Sequence, residues 1–165
     1  MKKAMGLRRV PVFLCCLLML CLLAGCSLPH IGGPETVDAR GFRSRLGMDG
    51  YTVKKVPVEQ LPSGIVPERT KTVQKASKDG EQFLYISYEN EKSAAEGFDS
   101  IVAAYSPAVG KKDPSKSTDT LWTGASARYE AAFLVSRKGC RILAAMQDGA
   151  ASTEHLEKTA AALGF

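Results

Sequence analysis

Five cysteines and two histidines are the side chains of this 165-residue chain best suited to nucleophilic or metal chemistry. Cys15, Cys16, Cys21 and Cys26 crowd into or just behind an apolar run near the N-terminus, while Cys140 stands far along the chain. Neither His30 nor His155 has neighbours at metal-ligand spacing, so no metal and no cofactor is expected. Cys140 and His155 fall on separate elements, and no Ser-His-Asp or Cys-His set can be assigned. Gly110-Lys111-Lys112 follows a helix and enters a polar stretch, where a phosphate loop would follow a strand and open a helix. Lys111, Lys112 and Lys116 therefore read as solvated cations, as do Arg137, Lys138 and Arg141 around a later turn. Their sharper use is contact with an anionic lipid or wall polymer, worth ~1 kcal/mol per charge at a membrane surface. Trp122, the one tryptophan, is expected in the core or at a sheet edge.

The N-terminal cysteines belong to a different kind of chemistry. Lys2, Lys3, Arg8 and Arg9 precede an apolar block over 12–23, and the small residues Ala24 and Gly25 follow it, as in a secretory signal. The block falls short of the ~20 residues a helix needs to cross the hydrocarbon core. Leu23-Ala24-Gly25-Cys26 resembles the processing box of bacterial lipoproteins. The resemblance implies cleavage between Gly25 and Cys26, a thioether-linked diacylglycerol on Cys26 and acylation of the new amine. Two acyl chains hold stably where one holds reversibly, so a chain so modified stays on the membrane, on its extracytoplasmic side. Residues 27–35, with two prolines and two glycines, read as a tether reaching roughly 30 Å at most. The expected organisation is a signal over 1–25, a lipidated Cys26 with its tether over 26–35, and one domain over 36–165.

Removing the signal changes what the composition says. The formal charge is +5, from 22 Lys and Arg against 17 Asp and Glu. Four of those cations and none of the acids lie in 1–25, so the remainder carries 18 against 17, or +1. Nucleic acid is not an expected partner. Cys140 is then the one thiol left, no internal disulfide is open to the chain, and the fold must stand on its core. Cys140 is expected to open a strand and face that core in register with Ile142, Ala144 and Met146, as a structural residue.

Hydrophobic spacing then places the elements. A short helix over 36–46, capped by Thr36 or Asp38, points Ala39, Phe42 and Leu46 one way, and a strand over 51–56 follows. Pro57, Pro62 and Pro67 mark a loop. Strands over 71–76 and 82–89 flank Lys78-Asp79-Gly80, a hairpin signal, and Phe83 to Ile86 is apolar on both faces, as in a central strand. A helix over 93–105, with Ser93 and Glu96 as a capping box, presents Ala94, Phe98, Ile101 and Tyr105 as one stripe, and Pro107 and Gly110 are expected to end it. Residues 111–120 read as loop. Strands are expected over 120–123, 127–136 and 140–147, the middle one aiming Tyr129, Ala131, Phe133 and Val135 together. A last helix from about Ser152 carries Leu156, Ala160 and Leu163 inward and ends at Gly164.

The fold class that follows is α+β, with a largely antiparallel sheet, helices mainly on one face and a possible weak repeat of helix plus three strands. The pattern Phe42, Leu46, Gly50-Tyr51-Thr52-Val53, the strand 83–88 with its Ala-rich helix, and the ending Val135 to Gly139, then Leu163-Gly164-Phe165, resembles small lipoproteins of Gram-positive bacteria with no assigned activity. The expectation is a membrane-anchored, non-enzymatic binding module, in contact with the membrane through acylated Cys26 and with an envelope protein or wall polymer. The competing expectation is an envelope enzyme or inhibitor domain acting on wall or secreted substrates.

Overall fold

The computed structural model describes residues 35–58, 61, 69–109 and 114–165. Asp38, extended, accepts from Gly41 N–H through Oδ1 at 2.7 Å and starts helix α1, Ala39–Met48. Strand β1, Thr52–Lys55, leads to the hairpin of β2, Thr70–Lys78, and β3, Glu81–Tyr88. Its two-residue turn is Asp79-Gly80, with φ of 45° at Asp79 and 84° at Gly80. That pair of positive values is what a type I′ turn requires. Helix α2, Glu91–Val109, crosses to β4, Pro114–Ser117, and then come β5, Leu121–Ser126, β6, Ala131–Lys138, and β7, Arg141–Asp148. Helix α3, Glu154–Ala162, closes the chain. The seven strands form one antiparallel sheet in the order β1-β2-β3-β7-β6-β5-β4.

That order is two meanders joined where β3 pairs with β7, so the strand apolar on both faces does lie in the interior of the sheet. Phe83 and Tyr85 face one core with Phe42 and Leu46 of α1 and Leu156 and Ala160 of α3. Ile86 and Tyr88 face the other, with Ala94, Phe98 and Ile101 of α2. The repeat is only approximate: α1 precedes three strands, α2 four, and the two helices lie on opposite faces.

Several boundaries differ from expectation for identifiable reasons. The cap of α2 is Asn90, whose Oδ1 accepts from Ser93 N–H at 2.9 Å and Ser93 Oγ at 3.1 Å, so Ser93 lies inside the first turn and is buried. Pro107 does not end α2; it costs a donor only near the helix end, and the last turn carries Val109 onto Gly124 of β5. β4 is a strand with no apolar alternation, held through backbone pairing to β5 and through Thr118, whose Oγ1 accepts from Leu121 N–H at 2.9 Å. Residues 127–130 form a turn, with Glu130 at φ 46°, and Tyr129 is 56% exposed instead of sharing the core with Phe133.

Helix α2 seats closely on the sheet because residue 97 is glycine. A Cβ there would run into the hydroxyl of Tyr88 and lie 2.6 Å from its Cζ, on a ring only 2% exposed. Gly97→Ala is therefore expected to destabilise the fold by ~1–3 kcal/mol through overpacking, read as a lowered denaturation midpoint. Tyr88 Oη has no hydrogen-bond partner among the described residues, and burial pushes its pKa up to about 12.

Candidate functional site

The basic residues picked out by sequence divide into three situations. Lys111 and Lys112 lie outside the described residues, as do Gly25 and Cys26. Lys116 of β4 pairs with the Glu157 carboxylate of α3, whose other oxygen accepts from Thr153 Oγ1 at 2.8 Å. Lys138 and Arg141 close the β6–β7 turn and bond to backbone carbonyls: Lys138 Nζ donates to Gly164 O at 3.0 Å, and Arg141 Nη1 to Thr36 O at 2.7 Å. Strand alternation aims Arg137 with Val135 toward the face that α2 covers. Its Nη2 lies 3.4 Å from Asp119 O, and its buried Nε has no partner among the described residues.

Cys140 departs from the expected place. Lys138 pairs directly with Arg141, so Gly139 and Cys140 are the two turn residues and the strand begins one residue later. Gly139 has a φ of 57°. A positive value there suits the first central position of a II′ turn. Strand alternation does not act on a turn residue, and Cys140 is half-buried at the end of the sheet, outside both cores. Trp122 is buried against α2, where its ring lies 6.5 Å from Tyr105.

A cleft of about 620 Å³ opens between α3 and strands β5 and β6. Leu121, Leu134, Ala160 and Phe165 supply its apolar lining, and Thr120, Ser136, Lys138 and Glu157 its polar groups. It exists because Ala160 and Ala161 are small where α3 crosses the sheet, while Leu156 and Leu163 carry the helix packing on either side. Glu157, on the α3 side of the cleft, is paired with Lys116 from the sheet edge. Hydrogen bonding by Lys116 is the chief reason the Glu157 carboxyl lies below its usual 4.5. A carboxyl lowered in the folded state contributes stability above its unfolded pKa, and that contribution disappears as the pH falls through the lowered value. Lys116→Met should thus lower the melting midpoint slightly at neutral pH, as expected of an exposed pair worth ~0.2–1 kcal/mol. The difference from wild type should vanish in melts run well below pH 4.5.

A second group of titratable side chains lies at the far end of the sheet. Tyr51 Oη donates to Glu81 Oε2, and His155 Nε2 lies 3.1 Å from Glu81 Oε1. Burial, then the Glu81 carboxylate, pushes the Tyr51 phenol far above its usual range, so it serves as a proton-holding donor. No local spacing points to this group, because its members come from the segment before β1, the start of β3 and α3. It ties α3 to the hairpin. Among the described residues no group of three or more His, Cys, Asp or Glu side chains could hold a metal ion, and no helix is long and apolar enough to cross a membrane.

No family model, curated protein or solved structure matches this chain.

Proposed function

We propose that this chain is a lipoprotein anchored through Cys26 to the extracytoplasmic side of the membrane, and that its folded part is a binding module whose ligand enters the cleft beside α3. The anchor rests on the Leu23-Ala24-Gly25-Cys26 box behind a signal-like apolar block. The observation that carries the binding role is the cleft itself. Small-molecule sites run from roughly 300 to roughly 1000 Å³ and combine an apolar lining with a few polar groups. At about 620 Å³ the cleft falls inside that range, and its lining has that make-up. Glu157 is held by Lys116 and Thr153, and Lys138 by Gly164 O, so the rim is pre-set for recognition.

The test is native mass spectrometry of the full chain extracted from its membrane in mild detergent, beside Ala161→Trp. Residue 161 is exposed on the cleft wall, so an indole there fills the mouth without entering the core. A bound small molecule on the wild type that is lost in the variant, at unchanged melting midpoint, supports the binding module. Equal occupancy in both, or none in either, contradicts it. Conversion of an added wall fragment by the wild type, blocked in the variant, would favour an enzyme.

A further inference from the structure

We propose that the end of the domain carrying its first residues, presenting Arg40, Arg43, Arg45, Lys138 and Arg141, docks on the anionic headgroups of the leaflet that holds Cys26. The proposal rests on the anchor reading above and adds an orientation to it. Four segments meet at this end. Val37 N–H donates to Leu163 O at 3.1 Å and Thr36 Oγ1 to Gly164 O at 3.0 Å, so the start of the domain lies against the end of α3. Arg141 reaches Thr36 O from the β6–β7 turn, Lys138 reaches Gly164 O, and Arg45 of α1 donates to Ala162 O.

The acceptors in these contacts are neutral carbonyls at a helix end or in a loop, so the contacts place the cations without cancelling their charge. A guanidinium holds five N–H donors, and one such bond leaves the others open to phosphate oxygens. Arg40 and Arg43 lie exposed on α1, a helix with three arginines and no carboxylate. Among the described residues Lys116 is the one Lys or Arg paired with a carboxylate, so none of the five docking cations lies within ion-pair distance of one. The nearby acids are Glu35, Asp38, Glu89, Glu91 and Asp119; Asp38 accepts from Gly41 N–H, and Glu91 lies beside Gly139 of the turn.

The opposite end has the reverse balance. The Asp79-Gly80 turn, the 127–130 turn, the end of β7 and the start of α3 gather Asp49, Asp79, Glu81, Glu130, Asp148 and Glu154. Lys78, Arg128 and Lys158 stand against them. A tether of roughly 30 Å alone would let the domain turn over. An anionic surface attracts one end and repels the other, and within a Debye length of ~8 Å this sets the orientation.

Cys140 is the reporter. It sits half-buried in the turn between Lys138 and Arg141, and in the processed chain the Cys26 sulfur is spent in its thioether. The lipidated full-length protein is reconstituted in vesicles of phosphatidylcholine alone or mixed with phosphatidylglycerol, and labelling by an uncharged polyethylene-glycol maleimide is timed. A second reporter, Tyr129→Cys in a Cys140→Ala background, reads the far end, where residue 129 is 56% exposed. Docking predicts Cys140 labelling roughly tenfold slower on anionic than on neutral vesicles, rapid again in high salt or with Arg40→Glu and Arg43→Glu, and an unchanged rate at position 129. Equal Cys140 rates on both vesicles, or equal slowing at both positions, overturns it. So does slowing produced by soluble polyglycerol phosphate and absent on anionic vesicles, which would assign the surface to a wall polymer. Failure of the anchor shows separately, as missing lipid mass and loss of protein from neutral vesicles on washing; docking is then read by co-sedimentation of the unanchored chain with anionic vesicles, and no co-sedimentation refutes it.

Discussion

Cys26→Ser is expected to abolish lipid incorporation completely and to leave a precursor that keeps residues 1–25. A hydroxyl lacks the thiolate nucleophilicity that thioether formation uses. Each buried methylene contributes ~0.8 kcal/mol and two chains are needed for stable attachment, so losing the diacylglycerol removes the mature membrane-bound form. Metabolic labelling with a fatty acid and fractionation of membranes check this. A variant with wild-type mass that remains on the membrane would contradict the anchor. Residue 26 lies outside the described fold, whose tertiary hydrogen bonds include those of Thr36 and Val37, so the variant's folded part is expected to melt as the wild type does, which separates a targeting defect from a folding one.

The second large effect lies in the sheet. Phe83→Ala should cost ~3–5 kcal/mol, the range for removing a buried aromatic ring. Phe83 is fully buried, and its ring meets Tyr51 edge-on at 5.6 Å in the core shared by α1 and α3. A loss of that size takes a large share of the ~5–15 kcal/mol that a domain of this kind has. Leu84→Ala, one residue on and facing α2, should cost less because Leu84 is only partly buried. Equilibrium denaturation in urea reads both, and equal costs would show that alternation of β3 between two cores is wrong.

Elements were legible in the sequence where side-chain period and turn chemistry agreed. Phe83 to Ile86 had no polar face, and Asp79-Gly80 supplied the positive φ pair, so the β2–β3 hairpin and its interior place both followed. The stripe through Phe98 and Ile101 defined α2 for the same reason, although its true cap, Asn90, was hidden by the Ser93–Glu96 spacing. β4 was illegible because Pro-Ser-Lys-Ser has no pattern of its own; its order comes from pairing with a neighbour. Cys140 was misplaced by a single residue of register, enough to move a side chain from the core to the turn.

The candidate sites were less legible than the fold. Lys116 was visible as a charge, but its partner Glu157 lies across the sheet edge on another element. No spacing gathers Arg40, Arg43 and Arg45 with Lys138 and Arg141, since nothing in local sequence says that α1 starts beside the β6–β7 turn. The cleft depends on Ala160 and Ala161 crossing over Leu121 and Leu134, a tertiary coincidence that no spacing rule contains.

Anchoring through Cys26 is read most directly from the intact mass and N-terminal peptide of the protein extracted from its native membrane. An anchored module should begin at Cys26, its first residue carrying a thioether-linked diacylglycerol. A chain that retains residues 1–25, or that begins elsewhere with the Cys26 thiol free, would contradict it.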